Sequence, residues 1–279
     1  MNPIVAIFAQ GAMGAGLAKV LTSHGVTVLT SLEGRSAASA ARARDAGMQA
    51  VRFEDLASAD LVLAVLPPAE ALPFARRFAA AAGAAARKPL YVDCNAISPD
   101  SVRRIETVLI EAGCAFADIG IIGLPPREGS PAPRLYAAGP GAGRLDTLRD
   151  HGLEVRRLEG PAGTASALKM AYGGITKGVA AVASAMILGA SRAHVAGHLA
   201  KELADSEGPL LASLTKRIPD MLPKAYRWVA EMREISEFCA ADPAAAAIYA
   251  GAADFYARIA ADVAGPRDSA EQLERFFRA

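Results

Sequence analysis

The hydrophobic positions of the chain follow two successive patterns. In the first part, short apolar runs such as Ile4–Phe8 alternate with segments whose apolar residues recur about every three to four positions. From Gly160 onward the apolar runs stop and the helical spacing continues. Alternation predicts parallel strands joined by helices, whereas uninterrupted helical spacing predicts an all-α region. We therefore predict an α/β N-terminal domain with a mostly parallel sheet over residues 1–159, followed by an all-α C-terminal domain over residues 160–279.

Apolar runs and turn residues also predict the individual elements of the first domain. The expected strands are Ile4–Phe8, Val26–Thr30, Ala50–Val51, Leu61–Leu66, Pro89–Asp93, Ala115–Asp118, Arg134–Ala138 and Leu153–Leu158. A helix is expected over Glu70–Ala86, and Ser98 with Pro99 predicts the start of another. Residues 119–127 are rich in Gly and Pro, so we expect an irregular loop there that binds substrate.

Gly11 and Gly14 stand at the junction between the first strand and the helix that follows it. In the dinucleotide-binding fingerprint, such glycines let the backbone approach a pyrophosphate and let the helix pack on the strand, while helix N–H groups face the phosphates. Ala9 occupies the first glycine position, so an ordinary strand-to-helix turn is the alternative. We predict a Rossmann fold that binds its cofactor through Gln10, Gly11, Ala12, Met13 and Gly14.

The end of the second strand decides between the two nicotinamide cofactors. An acidic side chain there binds the ribose 2′-OH of NAD, and a basic one accommodates the 2′-phosphate of NADP. Arg35 offers a guanidinium, and Ser31 and Ser36 offer hydroxyls, so we predict NADP as the cofactor. Glu33 keeps NAD possible if its carboxylate turns inward. An Arg35 that merely caps a solvated loop is the other alternative.

Two further strand ends are expected to complete the cofactor site. The strand Leu61–Leu66 ends at Pro67, on the carboxyl edge where open α/β sheets bind ligands. Asn95 follows the next strand and is a candidate for contact with nicotinamide or substrate, although a turn-forming asparagine fits equally well. Leu66, Pro67 and Asn95 therefore join the predicted cofactor-binding set.

Lys169 is the candidate for proton transfer. It lies in the second turn of a predicted helix that begins at Thr164, and Tyr172 and Gly173 follow on the same face. A lysine among Ala, Leu and Met is costly to bury without a partner, and desolvation brings the pKa of an amine toward values useful in acid-base catalysis. A lysine whose amine reaches solvent is the alternative.

These motifs resemble those of the β-hydroxyacid dehydrogenases related to 3-hydroxyisobutyrate dehydrogenase and 6-phosphogluconate dehydrogenase. The family's glycine-rich element, which ends in Met-Gly, is matched by residues 9–14, and its Gly-x-x-Gly-x-x-x-x-x-Lys helix by Gly160, Gly163 and Lys169. The resemblance implies that Lys169 is the general acid/base while hydride passes between substrate and nicotinamide. The chain looks most like the phosphogluconate-dehydrogenase-like branch with an uncharacterised C-terminal helical domain.

The resemblance also implies where a small-molecule substrate binds. The family's substrate loop falls on residues 118–124, where Ile122 and Leu124 replace a serine and a glycine while Gly123 remains. Tyr172 and Gly173 stand where the family has an asparagine after the lysine. Ile122, Gly123, Tyr172 and Gly173 are accordingly the expected substrate-binding residues. Family members usually dimerise through the helical domain, so a homodimer is expected.

Together these features predict an NADP(H)-dependent oxidoreductase that interconverts a small hydroxy acid and its carbonyl form. The altered substrate residues leave two other hypotheses open: an imine reductase-like enzyme, and an NADP-binding sensor or scaffold without turnover. Related imine reductases usually replace the lysine, so its presence favours a C=O over a C=N substrate.

Composition narrows the range of partners. The 279 residues carry a net charge of +1, with 52% hydrophobic and 21% charged residues, so we expect neither nucleic acid nor membrane as a partner. The longest apolar helix candidate, Val179–Ala190, is too short to span a bilayer. Cys94, Cys114 and Cys239 are far apart and odd in number, which favours a reducing, cytoplasmic setting.

The remaining candidate residues are less informative. His194 and His198 stand four apart, but without a third ligand nearby a surface or packing role is favoured, and no metal site is expected. Trp228, Glu231 and Met232 lie on a late helix that is a candidate to close over the substrate, from the same subunit or from a partner.

Overall fold

Eight strands form a single sheet in the computed structural model, which describes residues 2–83, 85 and 87–278. The strands are β1 (Ile4–Phe8), β2 (Thr27–Ser31), β3 (Gln49–Val51), β4 (Leu61–Ala64), β5 (Leu90–Asp93), β6 (Ala115–Ile122), β7 (Arg134–Ala138) and β8 (Glu154–Arg157). Their order across the sheet is β3-β2-β1-β4-β5-β6-β7-β8. Neighbouring strands are parallel except β6 and β7. The prediction of a mostly parallel α/β sheet is therefore confirmed.

The strand order reverses at β1. The strands β2 and β3 lie on one side of β1, whereas β4, β5 and β6 lie on the other. In open α/β sheets, ligands bind outside the carboxyl ends of the strands at such a switch point. The residues that follow β1 and its neighbours are therefore where the fold favours a ligand.

Helices cover both faces of the sheet, because the central strands are apolar on both faces. The helices of this part are α1 (Ala12–Ser23), α2 (Ala37–Asp45), α3 (Pro68–Gly83), α4 (Pro99–Glu111) and α5 (Asp146–Asp150), with short 3₁₀ turns at Glu54–Ser58 and Ala142–Leu145. One face buries an aliphatic cluster that includes Ile7 and Leu17. The other buries a row of packed rings: Phe8, Phe53, Phe74, Phe78, Tyr91 and Phe116.

Two predicted element ends can be compared directly with the structure. The predicted helix start at Ser98 is confirmed, because the Ser98 hydroxyl accepts a hydrogen bond from the Ser101 N–H and α4 begins at Pro99. The helix predicted over Glu70–Ala86 begins earlier, at Pro68, and ends at Gly83. The predicted last turn includes Ala84 and Ala86, which lie outside the described residues.

The prediction of an irregular loop from residue 119 was wrong over its first four residues. Strand β6 continues to Ile122 and pairs with β7, from Asp118 opposite Ala138 to Ile122 opposite Arg134. Gly120 is a strand residue because the backbone of the helix above it comes close: an added Cβ would lie 2.4 Å from the Ala165 carbonyl oxygen. The glycine therefore serves close packing rather than a turn, and the irregular segment begins at Gly123.

Beyond β8 the chain is helical, as predicted. The helices are α6 (Thr164–Arg192), α7 (Ala196–Ser206), α8 (Gly208–Met221), α9 (Ala225–Phe238), α10 (Pro243–Ala264) and α11 (Asp268–Phe276), with a 3₁₀ turn at Leu222–Lys224. Packing divides the chain into two compact units, Met1–Lys169 and Met170–Ala279. The boundary between the two units falls inside α6, whereas the predicted domain boundary precedes it.

Helix α6 is longer than the apolar segment singled out in the sequence. Among the described residues it is the one helix whose length and composition would suit a membrane span, and 33% of its most apolar window is buried. A core helix of a water-soluble protein passes the same test, so this is weak evidence for a span. In the second unit α6 carries the exposed apolar side chains of Ile175, Val179, Val182 and Met186.

Trp228, Glu231 and Met232 take part in the packing of the second unit. Met232 is fully buried, and the Trp228 ring meets the Tyr256 ring edge-on with centroids 5.2 Å apart. The Lys177 ammonium forms an ion pair with the Glu231 carboxylate and lies 5.4 Å from the Trp228 ring centre. These contacts connect α9 to α6 and to α10. That the three residues also close over substrate stays a prediction.

Candidate active site

The turn after β1 combines one open glycine with one tightly packed glycine. Gly11 precedes the first residue of α1, and a Cβ added to it would meet no atom within 4 Å. A Cβ added to Gly14 would lie 2.1 Å from the Ala9 carbonyl oxygen. Gly14 is thus required for the packing of α1 on β1. Ala12 and Gly11 are exposed, so the first-turn N–H groups of α1 can receive an anion.

Gln10 and Ser31 lie buried beneath this turn. The Gln10 amide nitrogen donates to the Ser31 carbonyl oxygen at 2.8 Å and to the Thr30 hydroxyl. Both Gln10 and Ser31 are 0% exposed, and the Gln10 Oε1 and Ser31 Oγ atoms have no hydrogen-bond partner. Their predicted contact with the cofactor stays a prediction. In the structure they connect the end of β1 to the end of β2.

Two arginines lie beside the turn. The Arg42 Nε donates to the Gln10 carbonyl oxygen at 2.8 Å, and the Arg35 guanidinium lies 5.4 Å from the centre of the Phe8 ring. Ser36 has a structural partner, because its hydroxyl caps α2 by accepting a hydrogen bond from the Ser39 N–H. Positive charge from two side chains is therefore available where a nucleotide phosphate would bind.

Glu33, the acid that could select NAD, is held by other groups. Its carboxylate accepts a hydrogen bond from the Phe53 N–H at 2.9 Å and pairs with Arg77 at 2.7 Å. These two hydrogen bonds, that of Phe53 first, lower the pKa of Glu33 below its usual value. The carboxylate thus has two partners within the protein and stays ionised at neutral pH.

A buried polar cluster marks the carboxyl ends of β4 and β5 and the middle of β6. The Asn95 Oδ1 accepts a hydrogen bond from the Leu66 N–H at 2.6 Å. The Asn95 N–H and Nδ2 donate to the two carboxylate oxygens of Asp93, at 2.9 and 2.7 Å. Asp93 pairs in register with Asp118 of the neighbouring strand. Asp118 in turn accepts a hydrogen bond from the Ser166 N–H, in the first turn of α6, at 2.9 Å.

Burial perturbs both carboxylic acids. Desolvation, opposed by the two hydrogen bonds from Asn95, raises the pKa of Asp93 to about 7. Desolvation also raises the pKa of Asp118 to about 6, against hydrogen bonds from the backbone of Ser166 and Gly163. The charge of Asp118 raises the pKa of Asp93 further, and the charge of Lys169 lowers it. Titratable groups with such shifts concentrate at functional sites.

Lys169 lies above this carboxylate pair. It follows Ser166 by one turn of α6, and its Cβ would lie 3.3 Å from a Cβ added to Gly120 of β6. The residue is partly buried, and its charge acts on both Asp93 and Cys94. The lysine predicted from sequence therefore lies over β6, next to two acids that were not among the predicted site residues.

The predicted substrate residues fall into two groups. In the first unit, Ile122 is buried at the end of β6, and Gly123 has φ 134° with Pro133 so close that an added Cβ would lie 2.9 Å from the Pro133 Cα. In the second unit, Tyr172 is exposed on α6, and a Cβ added to Gly173 would meet the Ile235 Cδ1 at 3.6 Å, an ordinary contact. Whether any of the four binds substrate stays a prediction.

Metal chemistry finds no support in the part of the chain that the structure describes, which contains no group of three or more His, Cys, Asp or Glu able to hold a metal ion. His194 lies in the turn after α6 with a left-handed φ of 58°, and His198 lies in α7. The histidine pair thus has no third ligand among these residues.

Asp93, Asp118 and Arg42 are the site residues that sequence reasoning missed. Asp93 ends an apolar run and Asp118 interrupts one, and an acid in an otherwise apolar strand was a signal that was available. Their closeness depends on β5 and β6 pairing in register, which one sequence does not reveal. The contact of Arg42 with Gln10 depends on the packing of α2 beside the turn.

A parallel sheet that reverses its order at β1, with an open glycine turn at that strand's end, defines a Rossmann-type dinucleotide-binding protein. The residues fit such a cofactor, because Gly11 leaves room for a pyrophosphate and two guanidinium groups lie beside it. Residues 5–127 match the NAD-binding domain of 6-phosphogluconate dehydrogenase, and residues 190–259 match DUF1932, a domain of unknown function.

Solved structures extend the similarity over the whole chain. The conserved protein MTH1747, described as structurally similar to 3-hydroxyacid dehydrogenases, is 30% identical, with 96% of this chain and 98% of that one covered and a TM-score of 0.73. Mycobacterium tuberculosis 3-hydroxyisobutyrate dehydrogenase with L-serine is 22% identical over 100% of both chains, with a TM-score of 0.75. An imine reductase from Myxococcus stipitatus in complex with NADP+ is 16% identical over 98% and 99%, with a TM-score of 0.56. No curated protein matches the sequence.

The chain therefore belongs to the β-hydroxyacid dehydrogenase family. It contains an NAD-binding domain and shares its fold with 3-hydroxyisobutyrate dehydrogenase. The family predicted from sequence is confirmed.

Proposed function

We propose that the protein is an NADP(H)-preferring oxidoreductase that interconverts a small hydroxy acid and its carbonyl form, with Lys169 as the general acid/base. The observation that carries this proposal is the placement of an open glycine turn and a partly buried lysine at one edge of one sheet. Strands β1 and β6 are three strand spacings apart, about 14 Å, a span that an extended dinucleotide can bridge.

The chain's own residues divide the work. Gly11, Ala12 and the N-terminus of α1 hold the pyrophosphate, and the Leu66–Pro67 segment and Asn95 line the next strand ends. When bound, the nucleotide supplies or accepts the hydride. Lys169 gives a proton to the substrate oxygen during carbonyl reduction and takes it back during alcohol oxidation. Ile122, Gly123, Tyr172 and Gly173 are the proposed substrate-binding residues.

Turnover provides the test of the acid/base role. Purified protein is screened with NADPH against carbonyl acids and cyclic imines, and Lys169→Ala is compared with Lys201→Ala, which removes an exposed lysine of α7. We expect Lys169→Ala to lose about 100-fold or more in kcat on an accepted carbonyl acid, and Lys201→Ala to lose nothing. A Lys169→Ala enzyme with wild-type kcat would refute the role. Turnover of imines alone, or NADPH binding without turnover, would instead favour one of the two other hypotheses.

The preference for NADP is supported by the environment of the second strand end. Glu33 has Phe53 and Arg77 as partners, whereas Arg35 and Arg42 lie beside the turn. We expect wild-type protein to bind NADPH at least about tenfold more tightly than NADH, and Arg35→Ala to remove most of that difference.

Fluorescence titration with both cofactors measures this preference. Arg149→Ala serves as the control, because Arg149 pairs with Asp146 and lies on α5, which contacts β8, the strand at the opposite edge of the sheet from β3. Equal affinities for NADPH and NADH in the wild-type protein would contradict the proposal.

We also propose a homodimer formed through the helical unit. Ile175, Val179, Val182 and Met186 repeat at intervals of four, three and four along α6 and are 43% to 68% exposed. They border a groove of about 740 Å³ that is lined by apolar residues of α6, α7, α8 and α10. Exposed apolar surface of this kind on a helix favours another copy as the partner, because the a/d spacing suits helix-on-helix packing.

Light scattering coupled to size-exclusion chromatography tests the homodimer. The wild-type protein is expected to elute as a dimer, and the double variant Val182→Glu/Met186→Glu as a monomer. Ile110→Glu, which alters an exposed apolar residue of α4, is the matched control and should leave the dimer intact. A wild-type monomer at micromolar concentration would rule the homodimer out.

We place the enzyme in the cytoplasm, which its three free cysteines support.

A further inference from the structure

We propose that Asp93 is a positioning residue for Lys169: its buried carboxylate, fixed by the backbone N–H and the Nδ2 of Asn95, attracts the charged amine of the lysine that packs over β6. The proposal rests on the proposed function for the role of Lys169 in turnover. The charge interaction between Asp93 and Lys169 is independent of the proposed function, because it can be measured without a substrate.

The carboxylate of Asp93 is held rigidly by hydrogen bonds. Its two carboxylate oxygens each accept one hydrogen bond from Asn95, from the backbone N–H at 2.9 Å and from Nδ2 at 2.7 Å. The Asn95 Oδ1 atom accepts a hydrogen bond from the Leu66 N–H. Asp93 is 1% exposed, so water does not screen its charge. The carboxylate is therefore a fixed group, tied to the segment that follows β4.

The position of Lys169 relative to that carboxylate follows from how α6 packs on β6. In-register pairing of β5 and β6 puts Asp93 beside Asp118, and the Ser166 N–H of α6 donates to Asp118. Helix α6 comes close to β6 at Gly120, two residues after Asp118 on the same face of the strand. This contact fixes the position of the Lys169 Cβ over β6. The first turn of α6 is thus anchored to β6 on one side of Lys169, and Asp93 lies on the next strand.

Four titratable groups interact electrostatically with Asp93. These are Asp118 from β6, Lys169 from α6, and Tyr91 and Cys94 from its own strand and the residue after it. Lys169 is the cation of this group, and its charge lowers the pKa of Asp93 whereas that of Asp118 raises it. By reciprocity, an ionised Asp93 favours the protonated form of Lys169 to the same extent.

The consequence is a division of roles in the site. Lys169 exchanges the proton, and Asp93 sets the pH at which it does so, because a nearby opposite charge favours the charged form of an amine. During carbonyl reduction the donor must be protonated, so Asp93 extends activity toward higher pH. Asp93 itself touches neither substrate nor reacting atoms in this account.

The test measures the ionisation of Lys169 directly. Protein is labelled with acetic anhydride over a pH series, and acetylation of Lys169 is quantified by peptide mass spectrometry, with the exposed Lys19 of the same sample as internal standard. In Asp93→Asn, the midpoint for Lys169 should fall by about one pH unit or more while that for Lys19 stays fixed. An unchanged midpoint for Lys169 overturns the proposal.

A reciprocal variant covers the case in which Asp93→Asn does not fold. In Lys169→Met, loss of the cation should raise the pKa of Asp93, which is read from the ¹³C carboxyl shift of aspartate-labelled protein. An Asp93 titration identical to that of the wild-type protein overturns the proposal. The Asp45 carboxyl, exposed at the end of α2, is the reference signal in the same spectrum.

Turnover separates this inference from the proposed function. Where a substrate has been found, Asp93→Asn should move the descending limb of the kcat/KM profile to lower pH, and Asp93→Glu should restore part of the shift. A variant that loses kcat equally at all pH values has a structural defect only, and this result counts against the proposal. If no substrate is turned over, the proposed function fails while the labelling result still decides the role of Asp93.

Discussion

The buried acids predict an unusual dependence of stability on pH. The pKa of Asp93 is raised from 3.8 to about 7 in the folded protein, mainly by desolvation. Below pH 3.8 the group is protonated in both the folded and the unfolded state. Between pH 3.8 and about 7 the unfolded chain has released the proton and the folded protein retains it, so rising pH favours unfolding. The stability that the protonated acid provides at low pH is therefore lost as the pH rises through 7.

The magnitude follows from the size of the shift. Each tenfold change in an equilibrium constant is worth about 1.4 kcal/mol, so raising the pKa of Asp93 from 3.8 to about 7 costs about 4 kcal/mol over the whole range. Between about pH 5 and about pH 8 the contribution of Asp93 is about 3 kcal/mol. Asp118, with a pKa of about 6, adds a smaller loss over the same range. The two acids interact, so their titrations belong to the pair and the two contributions overlap.

Replacing Asp93 by Asn removes the charge while keeping the size of the side chain. We expect wild-type protein to lose several kcal/mol, about 4 in all, between about pH 5 and about pH 8, and Asp93→Asn to lose only about 1. At about pH 8 two effects oppose each other in the variant: it has no carboxylate to desolvate, but its amide NH2 faces one of the two Asn95 donors, so the test compares the slopes with pH rather than the absolute stabilities.

Urea denaturation followed by circular dichroism at several pH values measures this effect. Trp228 is the only tryptophan and lies in the second unit, so its fluorescence reports on that unit. Asp45→Asn, which alters an exposed acid of α2, is the matched control. A wild-type free energy of unfolding that is flat between pH 5 and 8, or an equally steep slope in Asp93→Asn, would refute the reasoning.

Further substitutions test other contacts of the first unit. Gly120→Ala would put a Cβ 2.4 Å from the Ala165 carbonyl and should cost about 2 kcal/mol or more in urea denaturation; unchanged stability would contradict that close approach. Gly14→Ala, with 2.1 Å to the Ala9 carbonyl, should destabilise similarly, whereas Gly11→Ala should change stability by less than about 1 kcal/mol yet weaken NADPH binding about tenfold or more. Glu33→Gln should leave the NADPH-to-NADH affinity ratio within about twofold of wild type in fluorescence titration, because its carboxylate binds Phe53 and Arg77; a larger change would make Glu33 a cofactor ligand.

The sequence predicts those elements of the fold that are determined by residues within a single segment. Alternating apolar runs predict the strands, and the pair Ser98–Pro99 predicts the start of α4. The failure at residues 119–122 has a physical cause: Gly120 is required by the approach of Ala165, a residue far along the chain. A glycine that serves tertiary packing looks the same in sequence as a glycine that serves a turn.

The candidate site was predictable in part for the same reason. Lys169 and the glycine turn stand out locally, because a lysine in an apolar helix and a Gly-x-x-Gly spacing are signals within one segment. The partnership of Asp93 with Asp118 is set by strand register, and the contact of Arg42 with Gln10 is set by how α2 packs. Neither is encoded by the spacing of residues along one element.

The composition of β5 and β6 shows where the core ends and the site begins. Tyr91 and Phe116 are paired in register, and their rings stack with centroids 6.0 Å apart. Two residues further along each strand, on the same face, the register pair is Asp93 and Asp118. An apolar pair there would continue the core and avoid the desolvation that raises both pKa values. Because two buried acids oppose folding at neutral pH, and one of them, Asp93, interacts with the charge of Lys169, this register pair points to a role in the site rather than in the core.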